Sequence, residues 1–191
     1  MRLFVALGIP PAIRANLTAL MDDLRGLKAR PSTRKIRWTR VENLHVTLKF
    51  IGSVVPEKLA GIRAALEHVR SERPVGLRFR GIGFFPGGKR PRVIWAGVAG
   101  SPNIGGLAAD IDGALAKLGV PGEDRAFIPH LTLARCEPGA ISAELRAAIE
   151  KQSLQEFGTL LTNEFHLIES KLKPSGAEYT TLQSFEFAAE A

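Results

Sequence analysis

Apolar positions recur along the chain with two periods, and the alternation between them predicts its elements. The run Arg2–Ile9 reads as a strand. Pro11 stands where a helix can begin, since a first turn does not need the N–H that proline lacks. Ile13, Leu17, Leu20, Leu24 and Leu27 follow at helical spacing. Ile36–Trp38 is apolar at its ends, and Leu44–Ile51 reads as a strand stopped by Gly52. A second helix is predicted over Pro56–Arg73, with Leu59, Ile62, Leu66 and Val69 on one side. Val75–Phe85 is a strand that ends at Pro86-Gly87-Gly88.

The order then begins again. Arg92–Val98 reads as a strand, Ile104, Leu107, Ile111, Leu115 and Leu118 mark a helix, and His130–Cys136 is a strand. Ser142–Gln152 is a helix, Thr159–Leu172 contains a strand, and Tyr179–Phe187 is the last one, after the Pro174-Ser175-Gly176 turn. The unit strand–helix–strand–helix–strand occurs twice, and its openings match in type, Arg2-Leu3-Phe4-Val5-Ala6 against Arg92-Val93-Ile94-Trp95-Ala96. The expected fold class is α+β. One domain over 1–191 is built from two pseudo-symmetric lobes, approximately 1–90 and 91–187, produced by an internal duplication. Mainly antiparallel sheets line a central cleft, with the helices outside.

Composition changes this picture little. Hydrophobic residues make up 45% of the 191 and charged residues 24%, ordinary globular proportions that exclude a disordered chain. The apolar start is too short to span a membrane and stops at Pro10-Pro11, so no membrane association and no cleaved leader are expected. The single cysteine, Cys136, rules out an internal disulfide, fits a reducing cytoplasm, and reads as a buried, inert thiol. Charge adds more. The formal net charge is +7, and it is concentrated: Lys28, Arg30, Arg34, Lys35, Arg37 and Arg40 crowd one segment, and Lys89, Arg90 and Arg92 another. Solvated loops and a surface that attracts a polyanion both account for such blocks.

The candidate chemistry is His45-Val46-Thr47-Leu48 in the first half and His130-Leu131-Thr132-Leu133 in the second, each the central strand of its unit. Side chains alternate along a strand, so each strand presents an imidazole and a hydroxyl on one face and two apolar anchors on the other. Brought together, two imidazoles would face each other across a cleft. In-line displacement at phosphorus needs a base on the side of the attacking water and an acid on the side of the departing oxygen. Histidine serves both roles near neutrality, and Thr47 and Thr132 are placed to donate to the charged non-bridging oxygens. A metal site is the competing use of two histidines. Neither strand holds an Asp or Glu, and no His-x-x-x-His spacing occurs, so metal-free acid–base chemistry without a cofactor fits better. His68 and His166 lack the paired threonine and read as structural.

Two His-x-Thr-x motifs in duplicated lobes resemble the two-histidine phosphoesterase superfamily, and within it the RNA 2′,3′-cyclic phosphodiesterase, 2′-5′ RNA ligase or LigT-like group. Glu42–Gly52, Phe85-Pro86 through Pro91–Trp95, and Phe127–Arg135 carry the likeness. The resemblance implies that His45 is the proton donor to the leaving ribose oxygen and His130 the base that activates water, leaving a 2′-phosphate. It implies that Thr47, Thr132 and Arg135 hold the phosphate, that Phe50 contacts the terminal nucleoside, and that the reverse reaction joins RNA ends through a 2′-5′ linkage. The expected partners are RNA ends bearing a 2′,3′-cyclic phosphate, tRNA fragments among them, bound by a cytoplasmic monomer. One feature resists simple geometry. Phe50 and Arg135 each stand five residues past their histidine, which strict alternation puts on the opposite face. They reach the cleft only where the strand ends, twists or bulges; for Phe50, Gly52 offers such a place.

Overall fold

The computed structural model describes residues 1–27, 35–88, 90–174 and 176–188. Strands β1 (Arg2–Leu7), β2 (Ile36–Trp38), β3 (Val46–Ser53), β4 (Val75–Phe85), β5 (Val93–Gly100), β6 (His130–Cys136), β7 (Glu156–Thr162), β8 (Glu164–Lys173) and β9 (Gly176–Glu186) form one curled antiparallel sheet. Its order is β7-β4-β5-β6-β3-β1-β8-β9, with β2 also on β6. The helices are α1 (Pro11–Gly26), α2 (Leu59–Leu66), α3 (Asn103–Ala116) and α4 (Ala143–Lys151).

All four helices bury their apolar stripes in one core cluster on the convex face of the sheet. Ile13, Leu17, Ile62, Leu66, Leu107, Ile111, Leu145 and Ile149 meet Leu3, Val5, Val46, Leu48, Leu131 and Leu133 there. The opposite, concave face carries a smaller cluster of Phe4, Ala6 and Ile168, with Tyr179 against it. Helix starts follow local chemistry. Pro11 opens α1, and the Ser142 hydroxyl accepts from the Leu145 N–H at 3.1 Å to cap α4.

The α+β, antiparallel reading agrees with this architecture, and several boundaries move. The region Thr159–Leu172, expected to hold one strand, holds parts of two, because the chain bends at Asn163 as it passes from β7, paired with β4, to β8, paired with β1. The helix expected over Pro56–Arg73 is a 3-10 turn at Pro56–Lys58 followed by α2, which ends at Leu66. Beyond it the chain turns, and the Ser71 N–H binds the Phe187 carbonyl at 2.7 Å. Leu27, taken as part of the apolar stripe of α1, lies past its end and is exposed. The matching of the two openings is also one residue out. Ala6 pairs with Thr47 as Trp95 pairs with Thr132, so Ala6 corresponds to Trp95 rather than to Ala96.

The two wings of the sheet are not the two halves of the sequence. Strand β4 follows the first unit but pairs with β5 and β7; β8 follows the second unit but pairs with β1. Helices cross over as well, α1 lying against β7 and α3 against β3. The first half thus contributes β4 to the other's wing and the second contributes β8, and β3 meets β6 at the seam.

Candidate active site

The seam holds both His-x-Thr strands. Strands β3 and β6 pair antiparallel at Val46 and Leu131, whose side chains are buried on the helix side. Alternation then turns His45, Thr47, His130 and Thr132, all partly exposed, to the concave face. The two imidazoles lie close enough for the charge of His130 to act on His45. The structure brings together what the sequence separates by more than eighty residues.

Both rings are held in the same way. Nδ1 of His45 lies 2.6 Å from the carbonyl oxygen of Asn43, and Nδ1 of His130 lies 2.8 Å from that of Ile128, in each case two residues back. A carbonyl only accepts, so each Nδ1 carries the proton and donates, and each Nε2 is left for chemistry. Their surroundings differ. His45 packs on Phe4 at 4.7 Å and against the edge of Tyr179 at 5.4 Å between ring centroids. Burial lowers its pKa from the ordinary histidine value; the bond to Asn43 opposes this, and the neighbouring His130 adds to it. His130 meets the edge of Phe85 at 5.2 Å, and Phe85 stacks on Trp95 at 5.1 Å. Trp95 lies so close over Gly83 that a Cβ there would clash with the indole.

The parity problem of Phe50 and Arg135 has a single solution used twice. Along β1, Ala6 pairs with Thr47 but Val5 pairs with Lys49, leaving Leu48 as an extra residue in β3. Along β5, Trp95 pairs with Thr132 but Ile94 pairs with Ala134, leaving Leu133 extra in β6. Each bulge shifts the alternation by one position. Lys49 and Ala134 therefore turn into the core, and Phe50 and Arg135 emerge exposed on the face of the histidines. Gly52, with φ +84°, lies beyond Phe50 and is not what turns it. The Arg2 guanidinium lies 4.9 Å from the centre of the Phe50 ring.

Tyr179 escaped the sequence reading. Burial raises its pKa, and the charges of Arg135 and Arg2 partly offset this, so both guanidinium groups act at the phenol. Cys136 is buried, and burial pushes its thiol up to about 11, far from a nucleophile's range. His68 and His166 bind Ala64 O and Ser184 Oγ through Nδ1. Of the basic segment, Lys35, Arg37 and Arg40 are exposed, as are Arg90 and Arg92 of the second cluster; Lys28, Arg30, Arg34 and Lys89 lie outside the described residues. No group of three or more His, Cys, Asp or Glu side chains suited to a metal occurs among the described residues. No helix among them is long and apolar enough to cross a membrane.

A curled antiparallel sheet thus brings two His-x-Thr strands together at its seam, the frame on which a phosphoesterase fold is recognised. Residues 7–95 match the LigT like Phosphoesterase family. The chain is 35% identical to an RNA 2′,3′-cyclic phosphodiesterase of Archaeoglobus fulgidus, over 97% of this chain and 100% of the relative. An enzyme of the same name from Methanocaldococcus jannaschii is 32% identical over 97% and 100%. A crystal structure from Thermus thermophilus superposes with a TM-score of 0.80 at 30% identity, covering 98% of both chains. Escherichia coli LigT complexed with 3′-AMP shares the fold, with a TM-score of 0.77. The chain belongs to the LigT-like phosphoesterase family.

Proposed function

We propose that this protein hydrolyses 2′,3′-cyclic phosphate ends of RNA to 2′-phosphomonoesters, with His130 as general base and His45 as general acid. The observation that carries this reading is the matched pair of imidazoles on one concave face, each with Nδ1 committed to a carbonyl. Water attacks phosphorus opposite the 3′ oxygen and gives its proton to Nε2 of His130. The P–O3′ bond breaks, and O3′ takes the proton from Nε2 of protonated His45. The products are a 3′-hydroxyl and a 2′-phosphate, with both imidazoles one proton transfer from their starting states.

Thr47 and Thr132 donate to the non-bridging oxygens, and Arg135 adds charge. The exposed ring of Phe50 offers a surface for the terminal base. Burial disfavours the protonated state of His45 in the free protein, and a bound phosphate anion would favour it. A 5′-hydroxyl in place of water would give the reverse-type joining of two RNA ends through a 2′-5′ linkage. The asymmetry supports the division of roles: His45 is the enclosed residue, where a leaving group is shielded, and His130 stands nearer solvent, where water enters.

The reading includes independence from metal, supported by a donor set of two imidazoles and two hydroxyls with no carboxylate on either strand. Turnover of an oligoribonucleotide with a 2′,3′-cyclic phosphate end, in excess EDTA, tests it. Sustained turnover is expected; loss of activity restored by added zinc would reject it.

A further inference from the structure

Strand β8 pairs with β1 over His166–Glu169, while its pairing with β9 continues to Lys173. Residues Ser170–Lys173 and Gly176–Tyr179 therefore form a two-stranded arm that runs on past the strand beside it. Ion pairing of Lys173 with Glu178 braces its tip. The arm reaches the body of the protein at the 3-10 turn before His45, where the Asn43 side-chain amide donates to the Ala177 carbonyl at 2.7 Å. The backbone carbonyl of the same Asn43 accepts from Nδ1 of His45. Two residues beyond Ala177, Tyr179 lies against both the His45 ring and Phe4.

We propose that Asn43 is a positioning residue that fastens the β8–β9 arm over His45, so that Tyr179 encloses the imidazole on the leaving-group side. One residue thus fixes the ring from two directions, by its own carbonyl and by the arm its amide holds. In the second half the residue whose carbonyl holds His130 is Ile128, exposed and without a polar side chain that could make such a fastening. Of two otherwise matched histidines His45 is the more enclosed, with Phe4 and Tyr179 against its ring where His130 has Phe85. Enclosure separates an acid shielded from water from a base beside it, and this deepens the proposed assignment of roles, on which it rests.

Three variants test this: Asn43→Ala, Asn43→Leu, which keeps bulk without the donor, and Tyr179→Ala. Circular dichroism checks the fold of each. The groups bearing on His45 are Tyr179, His130 and, around the phenol, Arg2 and Arg135. Titration of the histidine ring protons by NMR is expected to show His45 moving up toward its ordinary value in all three variants, because water then reaches the ring. With a cyclic-phosphate-ended RNA, each Asn43 variant should lower kcat by about threefold to tenfold, the size of one net hydrogen bond, with KM little changed. In the Tyr179→Ala background, Asn43→Ala should cost almost nothing further. An unmoved His45 titration in folded Asn43 variants, or additive losses in the double variant, would overturn the inference. The titration needs no turnover, so a failure of the proposed activity would be seen separately.

Discussion

Leu48 and Leu133 hold the same place in their strands: each is the extra residue of a bulge three positions after a histidine. The two His-x-Thr strands share an irregularity as well as a motif. A regular strand from His45 or His130 would bury the residue five positions on. With the bulge, one strand presents an aromatic ring and the other a guanidinium beside the same pair of imidazoles. Arg135→Ala is expected to lower kcat/KM by roughly 10- to 100-fold, the loss of one charge-assisted contact to phosphate, with Arg135→Lys recovering part of it. Steady-state kinetics on a nucleoside 2′,3′-cyclic phosphate, which offers little beyond the phosphate, checks this; unchanged kcat/KM would place Arg135 outside the site.

The paired histidines should behave as a unit. His45→Ala and His130→Ala are each expected to lower kcat by about 10²- to 10⁴-fold, and the double variant by much less than the product of the two. Single-turnover rates with excess enzyme are the measurement, since they isolate the chemical step. Independent, multiplying losses would mean that the two rings serve separate steps.

Burial of His45 links its protonation to stability. Its folded pKa lies below the unfolded value of about 6.5, so the unfolded chain binds the proton more readily in that interval. Its contribution is intact above pH 6.5 and is lost as pH falls from there toward the folded pKa. Urea denaturation at a series of pH values should show stability declining on the acid side of 6.5, and the decline should be shallower in His45→Gln. A slope unchanged by that substitution would place the titrating group elsewhere.

Directly after the first bulge, Lys49 turns inward. Its side chain is 1% exposed, its ammonium pairs with Asp112 of α3, and it donates to the Pro121 carbonyl at 2.6 Å. Without Asp112 the buried ammonium keeps only the Pro121 carbonyl and Glu123, 3.8 Å away, so Asp112→Ala is expected to destabilise the fold by about 1–3 kcal/mol, and Lys49→Met by less. Chemical denaturation of both variants measures the difference; equal losses would show that the pair is not buried as described.

The readable part of the site lay in short-range pattern. His-x-Thr with apolar neighbours states which face each side chain takes, and its recurrence in two matching units pointed to a shared cleft. Bulges are not readable in this way, because Leu48 and Leu133 are apolar like any core strand residue, and only pairing with β1 and β5 reveals them as extra. Tyr179 carried no local signal either. It reaches His45 because β8 crosses to the wing of the first half, an exchange that no periodicity expresses. The same exchange explains why a tidy division near residue 90 does not match the sheet. Asn43 lies within the stretch Glu42–Gly52, but its side chain acts on Ala177, 134 residues away.

The most direct measurement is the identity of the terminal phosphate after hydrolysis of a 2′,3′-cyclic-phosphate RNA, read by NMR or by resistance to a 3′-specific phosphatase. With His45 protonating O3′ and His130 driving water in from the far side, the only product should be the 2′-phosphate, and neither His45→Ala nor His130→Ala should form it at an appreciable rate. A 3′-phosphate, a mixture of isomers, or full turnover by either variant would contradict the account.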